Sequence, residues 1–199
     1  MTTTFFLVRH AAHNRVSTML CGRMPGVRLG EVGKAQARLL SERFAHENIA
    51  CIRTSPLERA VETAEPIAAR IGESIGICES ITEIDFGAWS GMSFEALEQD
   101  PCWNAWNSAR SVSRAPKGET MLEAQGRIVK TLEELRDRYP GKSVILVSHS
   151  DVIKAALLHH LGMPLDAYAR FEIEPASIST LVVGDWGSRI LRLNEVVAA

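Results

Sequence analysis

Apolar positions along the chain fall into two rhythms. Thr4 to Val8 and Ser143 to Val147 are short, near-continuous runs of β-branched, aromatic and aliphatic residues, the pattern of strands buried on both faces. Ala50 to Thr54 is a shorter strand of the same kind, and Ser74 to Cys78 a weaker one. Elsewhere apolar residues recur at helical spacing. Glu31 to Ala45 carries Val32, Ala35, Leu39 and Leu40, and the stretch from Leu57 to about Ile71 carries Val61, Ala64, Ile67 and Ala68. Met121 to Tyr139 reads as a long amphipathic helix, and a further helix runs from Ser150 to about Leu161. Ser177 to Val183 and Arg189 to Leu193 flank Gly184-Asp185-Trp186-Gly187 and predict a closing hairpin.

Strand–helix alternation followed by a hairpin predicts a three-layer α/β/α sandwich whose sheet is mostly parallel with an antiparallel edge. No repeat or linker divides residues 1–199, so the chain reads as a single domain. Helix starts carry their own signals. Ser55-Pro56-Leu57-Glu58 offers a cap at Ser55, a proline at the first helical position and a capping-box carboxylate at Glu58. Ser150 or Asp151 reads as the cap of the helix after His149. Ile81 to Gly118 has neither rhythm and reads as irregular, apart from a short helix near Phe94 to Leu97. It holds Trp89, Trp103 and Trp106, of which the last two read equally as core anchors or as a lip over a ligand.

Composition narrows the function. A net charge of −2 and a pI near 6.3 give no electrostatic footprint for nucleic acid. No apolar run reaches membrane-spanning length, and the start of the chain lacks the pattern of a signal peptide. Cys21, Cys51, Cys78 and Cys102 are scattered without C-x-x-C spacing, as expected for reduced thiols in a cytoplasmic protein without a zinc site.

The candidate chemistry gathers where strands end. Arg9 and His10 follow the first strand, and His149 follows the strand ending near Val147. Arg59 lies in the first turn of the helix after the strand ending at Thr54. In open α/β sheets ligands bind at the carboxyl ends of strands. Two arginines, two histidines and helix amino-termini on one edge make an anion site, and the arginine fork suits phosphate.

In its motifs the chain resembles the histidine phosphatase, or phosphoglycerate mutase-like, superfamily. The residues that carry the likeness are Leu7-Val8-Arg9-His10, Gly22-Arg23, Gly33 with Gln36-Ala37, and Ser55-Pro56-Leu57-Glu58-Arg59-Ala60 with Thr63-Ala64. Glu83-Ile84-Asp85-Phe86-Gly87-Ala88-Trp89-Ser90-Gly91, Gly118-Glu119-Thr120 with Arg127, and Val147-Ser148-His149 complete the set in the family's order. The resemblance implies a cofactor-free, metal-independent phosphoryl-transfer enzyme acting on a small-molecule phosphate ester. His10 would be the nucleophile, Arg9, Arg59 and His149 would hold the transferring group, and Glu83 would be the proton donor, with Asp85 as its rival. Asn14, Arg23 and Arg28 are the candidates for a substrate loop.

The chain also departs from the family pattern. Ala11 stands where glycine usually follows the Arg-His pair, and Val16 where a phosphate-binding asparagine is expected, which leaves Asn14 as its candidate substitute. His10 and His13 with His149 could instead form a metal site, though no carboxylate or fourth ligand accompanies them. His159-His160 read as surface residues offsetting a helix dipole. Segment 92–117 is short for a mutase, which favours phosphatase over phosphoglycerate mutase-type transfer. The Ala11 and Val16 departures keep a non-catalytic phosphate-ligand sensor as a third reading.

Overall fold

Alternate residues of the first strand face opposite ways, and both ways lead into a core. In the computed structural model, which describes residues 1–197, β1 (Thr2–Arg9) sends Phe5 and Leu7 to one face of the sheet and Phe6 and Val8 to the other. The chain continues through α1 (Glu31–Phe44), β2 (Ile49–Thr54), α2 (Glu58–Ile71) and β3 (Ile75–Ile77). Two short helices, α3 (Phe94–Glu98) and α4 (Pro101–Ser108), precede α5 (Met121–Arg138), β4 (Ser143–Ser148), α6 (Ser150–His160) and the hairpin β5 (Ile178–Gly184) and β6 (Gly187–Glu195). The six strands form one sheet in the order β3-β2-β4-β1-β5-β6. Its first four strands are parallel, and β5 and β6 are antiparallel to their neighbours.

One face of the sheet is covered by α1 and α2, whose Ala37, Leu40, Phe44, Ala60, Ala64 and Ile67 meet Phe6, Val8, Ile52, Ile145 and Val147. The other is covered by α5 and α6 together with the tryptophan-bearing segment. This is the α/β architecture expected from the alternation. No helix among the described residues is long and apolar enough to cross a membrane.

The differences from expectation have local causes. In α1 the buried stripe is Gly33, Ala37, Leu40 and Phe44, while Val32 is 69% exposed. A β-carbon on Gly33 would lie 1.9 Å from the Ala12 carbonyl oxygen, so the helix presents its smallest residue to the loop behind His10. Segment 81–118 is more ordered than its irregular pattern implied: Asp100 caps α4 through the Cys102 N–H and also accepts from Trp89 Nε1. Trp106 is fully buried, and Trp89 packs edge-on against both Trp103 and Trp106, so Trp106 is a core anchor.

Ser55 does not cap α2. That helix begins at Glu58 without a side-chain cap, and the Glu58 carboxylate accepts from the Gly26 N–H at 2.8 Å. Neither Ser150 nor Asp151 caps α6; His149 holds that position, and Asp151 is engaged by Arg110 at 2.8 Å. His160 is half-buried and burial lowers its pKa to about 4, so of the histidine pair only His159 is exposed.

Candidate active site

Parallel pairing puts the three chemical strand ends in one row. Arg9 lies beside Ser148 across β1 and β4, and Thr54 beside Val147 across β2 and β4. The next residue of each strand is therefore His10, His149 or Ser55. Backbone bonds from His10 N–H to the Ser148 carbonyl and from Ser55 N–H to the Val147 carbonyl, both 2.9 Å, extend the ladder to that edge. The rings of His10 and His149 lie 5.1 Å apart, and His13 stacks on the far side of His10 at 5.4 Å.

Hydrogen-bond partners assign the His10 tautomer. Nδ1 sits 2.9 Å from the Ala11 carbonyl oxygen, which can only accept, so Nδ1 carries the proton and Nε2 keeps its lone pair. Burial first, then the Arg59 and Arg9 charges, hold the His10 pKa well below its ordinary value, so the ring is neutral. The loop behind it is fixed from two helices: Thr63 Oγ1 accepts the Ala11 N–H and Gln36 Oε1 the Ala12 N–H, each at 2.9 Å. Ala11 is fully buried and not among the residues with positive φ, so its methyl group costs the turn nothing.

Arg59 is 1% exposed, with Nη2 donating to the Gly22 carbonyl at 2.7 Å and to His149 Nδ1 at 3.3 Å. Because arginine only donates, Nδ1 of His149 accepts, and its Nε2–H points to Ser55 Oγ at 2.8 Å. Burial and the neighbouring Arg59 keep His149 neutral as well. Arg9 donates from Nη1 to the Ile173 carbonyl at 2.6 Å. Its Nε, and both Nε and Nη1 of Arg59, are buried without a hydrogen-bond partner among the described residues.

Glu83 completes the wall. Its Oε1 accepts from the Ile84 N–H at 2.9 Å, and its Oε2 lies 4.0 Å from His149 Nδ1. Burial, and secondarily the Asp151 charge, raise its pKa to about 7 against the opposing pull of Arg59. The segment carrying it is gripped from three sides. Arg23 Nε donates to the Glu83 carbonyl at 2.7 Å, Arg127 Nη1 donates to the Ser80 carbonyl at 2.7 Å, and Glu119 Oε2 accepts from the Asp85 N–H at 3.2 Å. Glu119 pairs with both arginines. Asp85 turns away from the cavity and accepts from the Gly87 N–H at 2.9 Å.

Arg9, His10, Arg59 and Glu83 thus line a cavity of about 110 Å³, with His149 buried directly behind them. The candidate loop residues are not part of it. Asn14 packs against Gly30, Arg28 pairs with Glu62 at 2.6 Å, and Arg23 serves the Glu83 segment from outside. Val16 does line the cavity, so Asn14 does not take the place of an asparagine there. Ser55, Thr63 and Gln36 also serve the site, and in the sequence they stand inside the motifs without a signal of these roles. Among the described residues no group of three or more His, Cys, Asp and Glu side chains is arranged to hold a metal ion.

Comparison with known proteins places this geometry among relatives. A family model described as histidine phosphatase superfamily (branch 1) matches residues 5–196. Phosphoserine phosphatase 1 of Hydrogenobacter thermophilus is 33% identical over 193 residues, covering 94% of this chain and 90% of that protein. A probable phosphoglycerate mutase of Photorhabdus laumondii is 30% identical over 176 residues, covering 87% and 82%. The solved structure of Bacillus stearothermophilus YhfR superposes with a TM-score of 0.91 at 26% identity, covering 98% of each chain.

Proposed function

The chain belongs to branch 1 of the histidine phosphatase superfamily and is a phosphatase of small phosphate monoesters, and from that premise we propose that His10 carries the phosphoryl group as a phosphohistidine. The observation that carries this reading is the set of three buried, unpartnered guanidinium nitrogens on Arg9 and Arg59 beside the free Nε2 of a neutral histidine. Buried donors without acceptors call for a ligand that supplies them, and a phosphate ester brings several anionic oxygens.

In the first step His10 Nε2 attacks phosphorus as the ester P–O bond breaks. Glu83, protonated near neutral pH, gives its proton to the departing oxygen. In the second step the Glu83 carboxylate takes a proton from water, whose oxygen attacks phosphorus and returns free His10 and inorganic phosphate. Arg9 and Arg59 neutralise the equatorial oxygens throughout. His149 supports them from behind: its Nδ1 accepts from Arg59 Nη2 and its Nε2–H donates to Ser55 Oγ, which orients the Arg59 guanidinium toward the phosphoryl oxygens. The cavity reaches solvent beside the exposed Ser17, which supports water as the acceptor over return of the group to a bound product. The whole chain, 1–199, is taken as one such domain, and its free cysteines fit a cytoplasmic setting.

The test is a His10→Ala variant and a labelled substrate. Wild type should yield an acid-labile phosphoenzyme on rapid quench. The variant should yield none and lose turnover, while keeping its circular dichroism spectrum. A fully active His10→Ala variant would overturn the assignment.

A further inference from the structure

Outside the phosphate cradle the cavity wall changes character. Val16, Met19, Leu20 and Phe94 are the large apolar side chains of its lining. They come from two segments fastened together: Met19 bridges Ser93, and the Leu20 N–H donates to the Met92 carbonyl at 2.9 Å. Leu20 and Phe94 are half-buried and pack onto the main core, and Phe94 leans on Trp103 with ring centres 6.5 Å apart. These side chains are therefore a fixed apolar lip with its backing already in place.

The polar groups around the lip are nearly all uncharged. Burial holds His13 neutral, with a pKa of about 4, and raises that of the Cys21 thiol. Among the described residues no lysine and no third arginine lines the cavity. Arg23 is turned to Glu83 and Glu119, and Arg15 lies on the exposed rim, with Nη1 3.8 Å from Met19 Sδ. Both cavity arginines are committed to the phosphoryl group. A carboxylate on the leaving group would be desolvated against carbon beside a protonated, uncharged Glu83, with no free cation inside the cavity to pair it and only the exposed Arg15 at the rim, a costly placement for an anion.

Resting on the phosphatase reading, we infer that this site selects monoesters whose leaving group is uncharged and presents an apolar face of several carbons to the lip. Carboxylate-bearing esters, the kind named for the phosphoserine phosphatase and phosphoglycerate mutase relatives, are disfavoured.

The experiment compares 2-phenylethyl phosphate with O-phosphoserine and 3-phosphoglycerate, all esters of primary alcohols, with p-nitrophenyl phosphate as a control for phosphoryl transfer itself. The phenylethyl ester should lead in kcat/KM by about tenfold or more, chiefly through KM, since an apolar contact of this size discriminates on that scale. Phe94→Ala should erode that lead, and Met19→Lys should raise kcat/KM for phosphoserine. Preference for the carboxylated esters in wild type, with p-nitrophenyl phosphate also turned over, would overturn the leaving-group inference and leave the phosphatase reading standing. Absence of phosphate release from every ester, the control included, would overturn the phosphatase reading and the inference with it.

Discussion

Replacing Glu83 by glutamine should make the protein more stable and less active, with both effects governed by pH. The Glu83 side chain is 14% exposed, and its pKa is raised from the ordinary 4.5 to about 7, first by burial and then by Asp151. Between these values the native state holds a proton that the unfolded chain has released, so stability falls as pH rises. Below the unfolded value both states are protonated and nothing is lost; above the folded value the penalty is complete, about 3 kcal/mol for a displacement of this size. Glutamine cannot ionise, yet its carbonyl can still accept the Ile84 N–H that Glu83 Oε1 accepts now. Glu83→Gln should therefore match wild type near pH 4.5 and exceed it by up to that amount above pH 8, on the order of 10 °C in Tm for a chain of this length.

The assay is denaturant and thermal unfolding of both proteins across that range, with kinetics on the same samples. In wild type, kcat/KM for an alkyl phosphate should rise as the ester loses its second proton near pH ~6. It should then fall as Glu83 loses its own near 7. Glu83→Gln should lose on the order of 10²-fold or more on alkyl esters and lack the alkaline limb, with a much smaller effect on the p-nitrophenolate burst. Asp85→Asn should keep the alkaline limb and show no loss that depends on the leaving group. A Glu83→Gln variant no more stable than wild type at pH 8 would refute the argument that this carboxyl is held protonated at a cost in stability.

Two further substitutions probe the groups behind the catalytic ones. Ser55→Ala removes the buried partner of His149 Nε2 and should cost about 1–3 kcal/mol of transition-state stabilisation while the fold persists, read as a drop in kcat larger than any rise in KM. Glu119→Gln loosens Arg23, Arg127 and the Asp85 N–H together; it should cost about 1–2 kcal/mol in unfolding free energy and slow alkyl esters more than aryl ones, because the carboxyl being positioned is the proton donor.

Much of this was legible because buried strands and helical spacing are statements about faces. The runs at Thr4–Val8 and Ser143–Val147 read as strands buried on both faces, with the residues just beyond them at carboxyl ends of strands; the strand order then sets the two side by side in the middle of the sheet. What sequence did not show is which way a loop turns. Asn14, Arg23 and Arg28 all lie near the nucleophile in the chain, yet Glu62 draws Arg28 away and Glu119 with the Glu83 carbonyl draws Arg23 away. Helix α4, at eight residues, is too short for a clear periodicity, and its stability comes from Trp106 in the core and the Asp100 cap.

The misplaced cap at Ser55 is the more instructive departure. Serine, proline and glutamate in that order satisfy every local rule for a helix start, and local energy alone would spend the Ser55 hydroxyl on the α2 backbone. In the fold its Oγ still accepts weakly from the Leu57 N–H at 3.3 Å, but the shorter 2.8 Å bond goes to His149. Glu58, likewise, reaches across to Gly26, in the loop that supplies Leu20, Cys21 and Gly22 to the cavity. Forgoing a capping box costs α2 about 1 kcal/mol at its first turn. That loss leaves the helix start free to bring Arg59 inward, with His149 held on one side and the cavity loop on the other. A local rule broken at the edge of a buried arginine therefore marks where stability was given up for chemistry.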